Sequence, residues 1–203
     1  MRLYLIRHGE TDWNRICRCQ GREDIPLNED GIRQGALSGA ALRNLGITAV
    51  YCSPLKRAVR TAEEIAKATG LSKEAVHELP ELIERDLGPF SGKEMADQKA
   101  YFALAAGEDV PGMEPFPEVL ERMERALVLL SETGQERIAA VSHGAAINVL
   151  LAGLSNRAIG TGKTRLYNGG ITVIEGNPKQ GFRVVHCNLK PEEAAAILQE
   201  SSE

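Results

Sequence analysis

The sequence predicts an α/β fold, arranged as a three-layer α/β/α sandwich with a largely parallel central sheet. Two observations support this prediction: segments with the pattern of strands alternate with segments with the pattern of helices, and no internal repeat, low-complexity tract or linker interrupts them. Such alternation is typical of parallel sheets whose two faces are covered by helices. The length of 203 residues suits one domain, so we expect residues 1–203 to form a single domain.

The first half of the chain is predicted to hold three strands and two helices. The second of these helices is predicted to begin at Ser53-Pro54, because serine is a favourable N-cap and proline fits the first helical position. Its apolar residues then recur on one face. The predicted strands are residues 3–6, 48–52 and 75–79, and the other helix is residues 29–44.

The second half of the chain is predicted to continue the alternation. Residues 117–133 form the clearest amphipathic helix, since Val119, Met123, Leu127 and Leu130 recur at helical spacing. The remaining strands are predicted at residues 138–142, 170–175 and 182–187, and the remaining helices at residues 145–154 and after Pro191.

Composition and charge disfavour several classes of function. The formal net charge of −4 argues against binding to nucleic acid or to an anionic membrane. No apolar run approaches the roughly 20 residues of a membrane helix, and the N-terminal residues lack the pattern of a secretory signal. The four cysteines do not have the spacing of a disulfide framework, so we expect reduced thiols and a cytoplasmic protein. The sequence leaves the oligomeric state open.

Three polar stretches follow predicted strands and bring cations to one edge of the sheet. They are Arg7-His8-Gly9 after the first strand, Ser53-Pro54-Leu55-Lys56-Arg57 after the second and Ser142-His143-Gly144 after the fourth. Ligands of open parallel sheets bind beyond the carboxyl ends of the strands. If these strands are neighbours, their two arginines and two histidines meet at one rim and repel one another unless an anion lies between them. Arginine forks and the helix N-termini after Ser53 and His143 would suit a phosphoryl group.

The residues at this rim favour phosphoryl transfer through an imidazole. No serine or cysteine there has an obvious base and orienting partner, whereas a neutral imidazole can itself attack phosphorus. His8 would form a phosphohistidine that water then hydrolyses, while the arginines and a protonated His143 neutralise charge on the phosphoryl oxygens. The leaving group still needs a proton. The local pattern does not select one acid, although Glu84 and Asp86 lie on irregular chain from which a side chain could reach the rim.

Four blocks of residues form one recognisable set. They are Arg7-His8-Gly9-Glu10-Thr11 with Trp13-Asn14, Gln20-Gly21, Pro26-Leu27 and Gly31; Ser53-Pro54-Leu55-Lys56-Arg57-Ala58 with Thr61-Ala62; Glu84 with Leu87-Gly88 and Gly92; and Ser142-His143-Gly144. In this order and spacing the blocks resemble the histidine phosphatase superfamily, in the branch similar to cofactor-dependent phosphoglycerate mutase. They span residues 3–150, and together they are far more specific than a single Arg-His-Gly tripeptide.

The resemblance implies a role for each matching residue. His8 would be the phosphorylated nucleophile, and Glu84 would be the proton donor and acceptor. The residues around the phosphate would be Arg7, Arg57 and His143, and His143 would also stabilise the transition state. The phosphate or nearby substrate atoms would be contacted by Asn14, Gln20, Gly21 and Gly144. The resemblance also implies that no metal is required. We expect no cofactor for this chain and a small-molecule phosphate ester as its ligand.

Two departures from the family pattern bear on specificity. Phe90-Ser91-Gly92 stands where many phosphatase relatives carry Trp-Glu-Gly, so we expect this wall of the pocket to differ. Dedicated mutases are longer and carry additional basic residues between the acid and the second histidine. Here residues 86–116 contain only Lys93 and Lys99 as cations, which favours a phosphatase over a cofactor-dependent phosphoglycerate mutase.

Two functions outside this chemistry also stay open. A metal hydrolase would use His8, His143 and Glu84 as ligands, since two histidines and a carboxylate are a known open-site set, although the adjacent arginines disfavour a dication. A phosphate-binding module without catalysis would use the same cations. In each case we expect specificity to depend on the loops that cover the pocket, residues 12–28 and 85–117.

Overall fold

The computed structural model describes residues 1–94 and 111–200. Its six strands are β1 (Arg2–Arg7), β2 (Ala49–Cys52), β3 (Val76–Glu78), β4 (Arg137–Ser142), β5 (Ile171–Asn177) and β6 (Gly181–Leu189). They form one sheet in the order β3-β2-β4-β1-β5-β6. Strands β3, β2, β4 and β1 pair in parallel, while β5 is antiparallel to β1 and β6 is antiparallel to β5. Only β5 therefore runs against the others, which confirms the predicted largely parallel sheet.

Helices cover both faces of this sheet. The helices on its faces are α2 (Glu29–Leu42), α3 (Lys56–Thr69), α4 (Phe116–Glu132), α5 (Gly144–Leu154) and α6 (Pro191–Glu200), and a short helix, α1 (Asp12–Arg15), lies in the loop after β1. Successive side chains of a strand point to opposite faces. Tyr4 and Ile6 accordingly pack with α2, α3 and α6, whereas Leu3 and Leu5 pack with α4 and α5. The predicted three-layer sandwich is confirmed.

The prediction that Ser53-Pro54 begins a helix is wrong. Helix α3 begins at Lys56, and its N-cap Leu55 has extended backbone, with φ −72° and ψ 135°. The Ser53 hydroxyl accepts the Leu55 N–H at 3.3 Å and also contacts His143. Ser53 therefore closes a turn before the helix rather than capping the helix itself.

Strands β2, β4 and β1 are neighbours, so their carboxyl ends meet. In the parallel register Cys52 lies opposite Val141, and Arg7 lies opposite Ser142. The chain thus leaves the sheet at three adjacent points, and the condition for a shared rim is met.

The loop at residues 85–117 contacts the loop at residues 12–28. Gly88–Phe90 forms a 3-10 turn, and Arg18 forms an isolated β-bridge with Glu94, which joins this loop to the loop at residues 12–28. Lys99 lies outside the described residues. Within the described ranges, no helix combines the length and the apolar character needed to cross a membrane.

Candidate active site

His8 lies directly after β1 and is nearly buried, with 3% of its surface exposed. Its backbone N–H donates to the Ser142 carbonyl at 3.0 Å, which extends the contact between β1 and β4 by one residue. Its ring Nδ1–H donates to the Gly9 carbonyl at 2.6 Å. Because a neutral imidazole carries one proton, this bond leaves the lone pair on Nε2, which is the form that can act as a nucleophile.

Gly9 is required by the close approach of two chain segments. A Cβ at this position would lie 2.2 Å from the Gly31 carbonyl oxygen, at the start of α2. The Gly9 N–H donates to the Thr61 hydroxyl at 3.0 Å, and Thr61 in turn donates to the Arg57 carbonyl at 2.7 Å. The turn that carries His8 is thereby held between α2 and α3.

The Arg57 side chain is completely buried in the first turn of α3 and holds the loop that contains Gly21. Its two terminal nitrogens donate to the carbonyls of Gly21 and Glu23, at 2.7 and 2.5 Å. Its Nε–H has no partner among the described residues. Gly21 has a φ of +51°, and a Cβ there would lie 2.9 Å from the Ser91 hydroxyl. A buried guanidinium with an unpaired donor is suited to an anion.

Arg7 lies at the last position of β1, on the other side of this rim. Its Nη1 donates to the Leu166 carbonyl at 2.7 Å, which fixes the guanidinium against the segment before β5. Gly144 leaves space for it, because a Cβ at that position would lie 3.4 Å from the Arg7 Nε. The contact expected between Gly144 and a phosphate stays a prediction.

His143 is completely buried, and its Nε2 lies 2.7 Å from the Ser53 hydroxyl oxygen. Its Nδ1 is buried without a partner in the part of the chain that the structure describes. Ser53 therefore has a histidine partner, contrary to the expectation that no serine at the rim has one. It is a poor candidate for a nucleophile, because it is completely buried and its oxygen already accepts the Leu55 N–H.

Protein carboxylates occupy the N-termini of both helices that follow the rim. The N–H groups of Ala145 and Ala146 in α5 donate to the Glu84 carboxylate, at 3.2 and 2.9 Å. The Lys56 N–H in α3 donates to Asp24 at 2.7 Å. The amides of Ala145, Ala146 and Lys56 are therefore paired with protein carboxylates, whereas a contact between the other amides of these helix N-termini and a phosphate stays a prediction. The α5 N-terminus instead holds Glu84, which is 9% exposed, beside the second histidine.

The structure distinguishes the two acids that the local sequence pattern left open. Asp86 accepts the Gly88 N–H at 2.8 Å and lies 3.8 Å from Arg22, so its carboxylate closes a turn. Glu84 instead contacts the chain immediately after His143. The geometry favours Glu84 as the acid of this site.

Asn14 is oriented by residues that the sequence interpretation did not select. In the short helix α1, its side-chain oxygen accepts the N–H and the hydroxyl of Thr11, both at 3.1 Å. Asn168 donates to the His8 carbonyl at 3.0 Å and to the Asn14 oxygen at 3.4 Å. The Asn14 amide nitrogen is therefore the part of that side chain suited to a phosphate. The sequence interpretation missed Asn168 because it did not give the direction of β5. This strand is antiparallel to β1, so the residues just before it lie at the rim.

The wall at Phe90-Ser91-Gly92 packs against the loop at residues 12–28. A Cβ at Gly92 would lie 3.6 Å from the Trp13 ring. Phe90 packs against an apolar cluster that consists of Cys19, Leu87 and Met113. Gln20, in the same loop, is nearly buried, and its Oε1 has no partner among the described residues. That oxygen can accept a hydrogen bond from a substrate group.

Comparison with known proteins identifies the family. The model described as histidine phosphatase superfamily, branch 1, matches residues 3–190. The chain belongs to the histidine phosphatase superfamily. This histidine phosphatase is 35% identical over 172 residues to the uncharacterized phosphatase PhoE of Bacillus subtilis (strain 168), covering 84% of this chain and 86% of the relative. It is 39% identical over 158 residues to the probable phosphoglycerate mutase GpmB of Erwinia tasmaniensis, covering 75% and 74% of the two chains.

Solved structures agree with this assignment. The phosphoserine phosphatase of Entamoeba histolytica, in complex with phosphoserine, is 28% identical and superposes with a TM-score of 0.78, covering 92% of this histidine phosphatase and 96% of that chain. The resemblance drawn from the four motif blocks is confirmed, and so is the fold that it implied.

Burial and two arginines keep both histidines of this histidine phosphatase neutral. Burial, followed by the charges of Arg57 and Arg7, lowers the pKa of His8 well below its ordinary value. Burial, followed by the charge of Arg57, does the same to the pKa of His143. His143 is therefore neutral in the free protein, and a protonated His143 beside a bound phosphoryl group stays a prediction. Burial also lowers the pKa of Arg57, to about 10, which leaves it charged at neutral pH.

We expect this histidine phosphatase to lose stability as the pH falls below about 6.5, the ordinary pKa of histidine. In that range the unfolded chain binds protons that the folded protein excludes, because the pKa values of His8 and His143 are lowered. Each histidine should reduce the free energy of unfolding by about 1.4 kcal/mol per pH unit until its folded pKa is reached. Urea unfolding at pH 5.0 to 7.0 measures the slope. His143→Asn should flatten it, and an unchanged slope would contradict the prediction.

Proposed function

We propose that this histidine phosphatase hydrolyses phosphate monoesters through a phosphohistidine on His8, with Glu84 as general acid and base. The observation that carries the proposal is the arrangement of the His8 ring. Its Nδ1–H is committed to the Gly9 carbonyl, so the basic Nε2 is the atom left for attack. The charges of Arg57 and Arg7 act on this ring, and they would hold the phosphoryl group beside it.

In the first half-reaction, His8 Nε2 attacks phosphorus and the bond between phosphorus and the ester oxygen breaks. Glu84 gives its proton to the departing alkoxide. Arg7, Arg57 and His143 donate to the phosphoryl oxygens and stabilise the charge that develops there.

In the second half-reaction, water attacks phosphorus and gives a proton to the Glu84 carboxylate. The bond between phosphorus and His8 Nε2 breaks, which releases inorganic phosphate and restores the neutral ring. The N–H groups of Ala145 and Ala146 donate to the Glu84 carboxylate and hold it next to the segment that follows His143.

Two features disfavour the metal hydrolase. The described residues contain no group of three or more histidine, cysteine or acidic side chains placed to hold a metal ion. The ring of His8 also lies close enough to Arg57 and Arg7 for both charges to lower its pKa, and these charges would repel a dication.

The charges near the pocket favour a phosphatase over a mutase. The relatives carry both names, phosphatase for PhoE and probable phosphoglycerate mutase for GpmB. A mutase must hold a bisphosphate and so needs cations beyond the first phosphate site. Here Arg22 already contacts Asp86 and Glu114, and Arg18 contacts Glu94. Because these cations are paired with protein acids, a substrate with one phosphate fits best.

The purified protein is expected to release inorganic phosphate from 4-nitrophenyl phosphate, 2-glycerophosphate and phosphoserine, with full activity after exhaustive EDTA treatment. Ranking these substrates by kcat/KM would identify the substrate class. Interconversion of 2- and 3-phosphoglycerate that is stimulated by the bisphosphate would establish a mutase instead. Activity lost to EDTA and restored by a divalent cation would establish a metal hydrolase. Tight binding of vanadate without turnover of any ester would establish a binding module.

We also propose a cytoplasmic location and a small-molecule phosphate ester as the partner. Cys17, Cys19, Cys52 and Cys187 are all free, as is usual for proteins of a reducing compartment. The Entamoeba histolytica phosphatase was solved with phosphoserine and with 3-phosphoglyceric acid, and small anions of this kind are the ligands that a rim with two arginines would accept.

A further inference from the structure

Glu84 lies on irregular chain. The 3-10 turn Pro80–Leu82 ends before it, and the next turn, Gly88–Phe90, begins after it. A general acid must lie within hydrogen-bond reach of the leaving oxygen, and a displacement of about 1 Å can lower a rate by about 100-fold. The N–H groups of Ala145 and Ala146 hold the Glu84 carboxylate, and the position of the residue also depends on the contacts that bind the backbone on either side of it.

Arg122, in α4, binds the backbone on the N-terminal side of Glu84. Its Nη1 donates to the carbonyls of Glu81 and Ile83, at 2.9 and 2.6 Å. Its Nε and Nη2 donate to the two carboxylate oxygens of Glu114, at 2.7 and 3.0 Å. This is a bidentate pair, the most directional form of an arginine–carboxylate contact, and both side chains are only 9% exposed.

Glu114 binds the backbone on the C-terminal side of Glu84. Its carboxylate accepts the Asp86 N–H at 3.1 Å, and its own N–H donates to the Asp86 carbonyl at 3.0 Å. Its carbonyl accepts the Arg85 Nε–H at 2.7 Å. Arg22 donates to the Glu84 carbonyl and lies near the Glu114 carboxylate, both at 3.2 Å. The ion pair thus reaches both sides of the acid.

The charges of this pair depend on each other. Burial alone would raise the pKa of Glu114, but the hydrogen bonds and charge of Arg122, with the Asp86 N–H and the charge of Arg22, hold that pKa below its ordinary value. Glu114 is therefore ionised at neutral pH. Removing one partner of a buried ion pair leaves the other charge uncompensated, so the two residues hold the segment only as a unit.

We infer that Arg122 and Glu114 are positioning residues for Glu84, and that they determine how efficiently it protonates the leaving group. Neither is proposed to touch the reacting atoms; each acts through the backbone on one side of Glu84. The inference rests on the proposed function, because accurate placement of Glu84 affects the rate only if Glu84 transfers protons.

The leaving group separates this role from a purely structural one. 4-Nitrophenolate departs without a proton, whereas an alkoxide needs one, so the acid matters chiefly for alkyl phosphates. We would measure kcat/KM, which reports the first half-reaction, for 4-nitrophenyl phosphate and 2-glycerophosphate in Arg122→Lys, Glu114→Gln and Glu84→Gln. Arg125→Gln is the matched control, because Arg125 lies on the same helix, is 58% exposed and contacts Glu81 at 3.4 Å.

Glu84→Gln is expected to lower kcat/KM for the alkyl substrate about 100-fold more than for the aryl substrate. Arg122→Lys and Glu114→Gln should also lower kcat/KM more for the alkyl substrate than for the aryl substrate, but only by about tenfold. Arg125→Gln should leave both values of kcat/KM within about twofold of wild type. Circular dichroism and thermal melting show which variants fold. If Arg122→Lys does not fold, Glu114→Gln, which preserves the side-chain volume, decides the outcome.

Two results would overturn the inference, and they are distinguishable. In the first result, Glu84→Gln lowers kcat/KM more for the alkyl than for the aryl substrate, but the Arg122 and Glu114 variants lose activity equally on both substrates or lose none. This result would remove the positioning role alone. Absence of the split in Glu84→Gln would remove the acid role of Glu84, and the positioning role would fall with it.

Discussion

Replacing His8 with asparagine is expected to abolish turnover, with kcat/KM for 4-nitrophenyl phosphate falling on the order of 10,000-fold or more. An aryl phosphate isolates the nucleophile, because its leaving group needs little help from an acid. Asparagine is the sharpest replacement, since its amide nitrogen can still donate to the Gly9 carbonyl that His8 Nδ1 reaches at 2.6 Å. It offers no basic nitrogen where Nε2 stands, so the loss would report nucleophilicity rather than folding.

Covalent labelling tests the same prediction independently of rate. With a substrate radiolabelled in the phosphate, the wild-type protein quenched during turnover should carry acid-labile, base-stable label, and His8→Asn should carry none. His77→Asn is the matched control, because His77 is exposed and its ring lies 5.2 Å from the Tyr51 ring, tilted by 41°, outside the described site. Label on His8→Asn, or activity within about tenfold of wild type, would sink the phosphohistidine mechanism.

The rim could be predicted from the sequence because it depends on strand direction and adjacency alone. Once β1, β2 and β4 are parallel neighbours, the residues that follow them must meet at one edge. The observed register brings Arg7 opposite Ser142 and Cys52 opposite Val141, so His8 and His143 follow adjacent positions. The roles given to the site residues stay predictions, as does the expectation that residues 1–203 form one domain.

The contacts that orient these residues could not be predicted, because they join segments that are distant in sequence. Ser53 fits the statistics of a helix cap, and only the fold places its hydroxyl beside His143, 90 residues away. Glu84 receives the N–H groups of Ala145 and Ala146 in the first turn of α5, where the sequence interpretation expected a phosphate. Asn168 was missed because β5 alone runs antiparallel to β1 and so begins at the rim.

The largest effect expected at the phosphate site itself is that of Arg57→Met, which should lower kcat/KM about 100- to 1000-fold for every phosphate monoester. Two losses combine in this variant. The phosphate loses the buried Nε–H, which has no partner among the described residues. The carbonyls of Gly21 and Glu23 also lose their donors, so the loop that carries Gln20 is no longer held. Steady-state kinetics and the inhibition constant of vanadate measure the effect.

Arg60→Met is the matched control for this experiment. Arg60 lies on the same helix, but it is 47% exposed and pairs with Glu63 and Glu64. Its replacement should leave kcat/KM within about twofold of wild type, since exposed ion pairs contribute little. If Arg57→Met kept its affinity for vanadate while losing only thermal stability, Arg57 would be a structural residue that holds the loop and not a phosphate ligand.

Arg57→Lys then separates the charge of this side chain from its geometry. Burial lowers the pKa of Arg57 to about 10, so the guanidinium stays mostly charged between pH 7 and pH 9. The ordinary pKa of lysine lies roughly two units below that of arginine, so a lysine in the same buried position would lose its proton between neutral and mildly alkaline pH. We therefore expect the kcat/KM of Arg57→Lys to fall between pH 7 and pH 9, relative to the kcat/KM of wild type at the same pH. Parallel profiles for the two proteins would contradict this expectation.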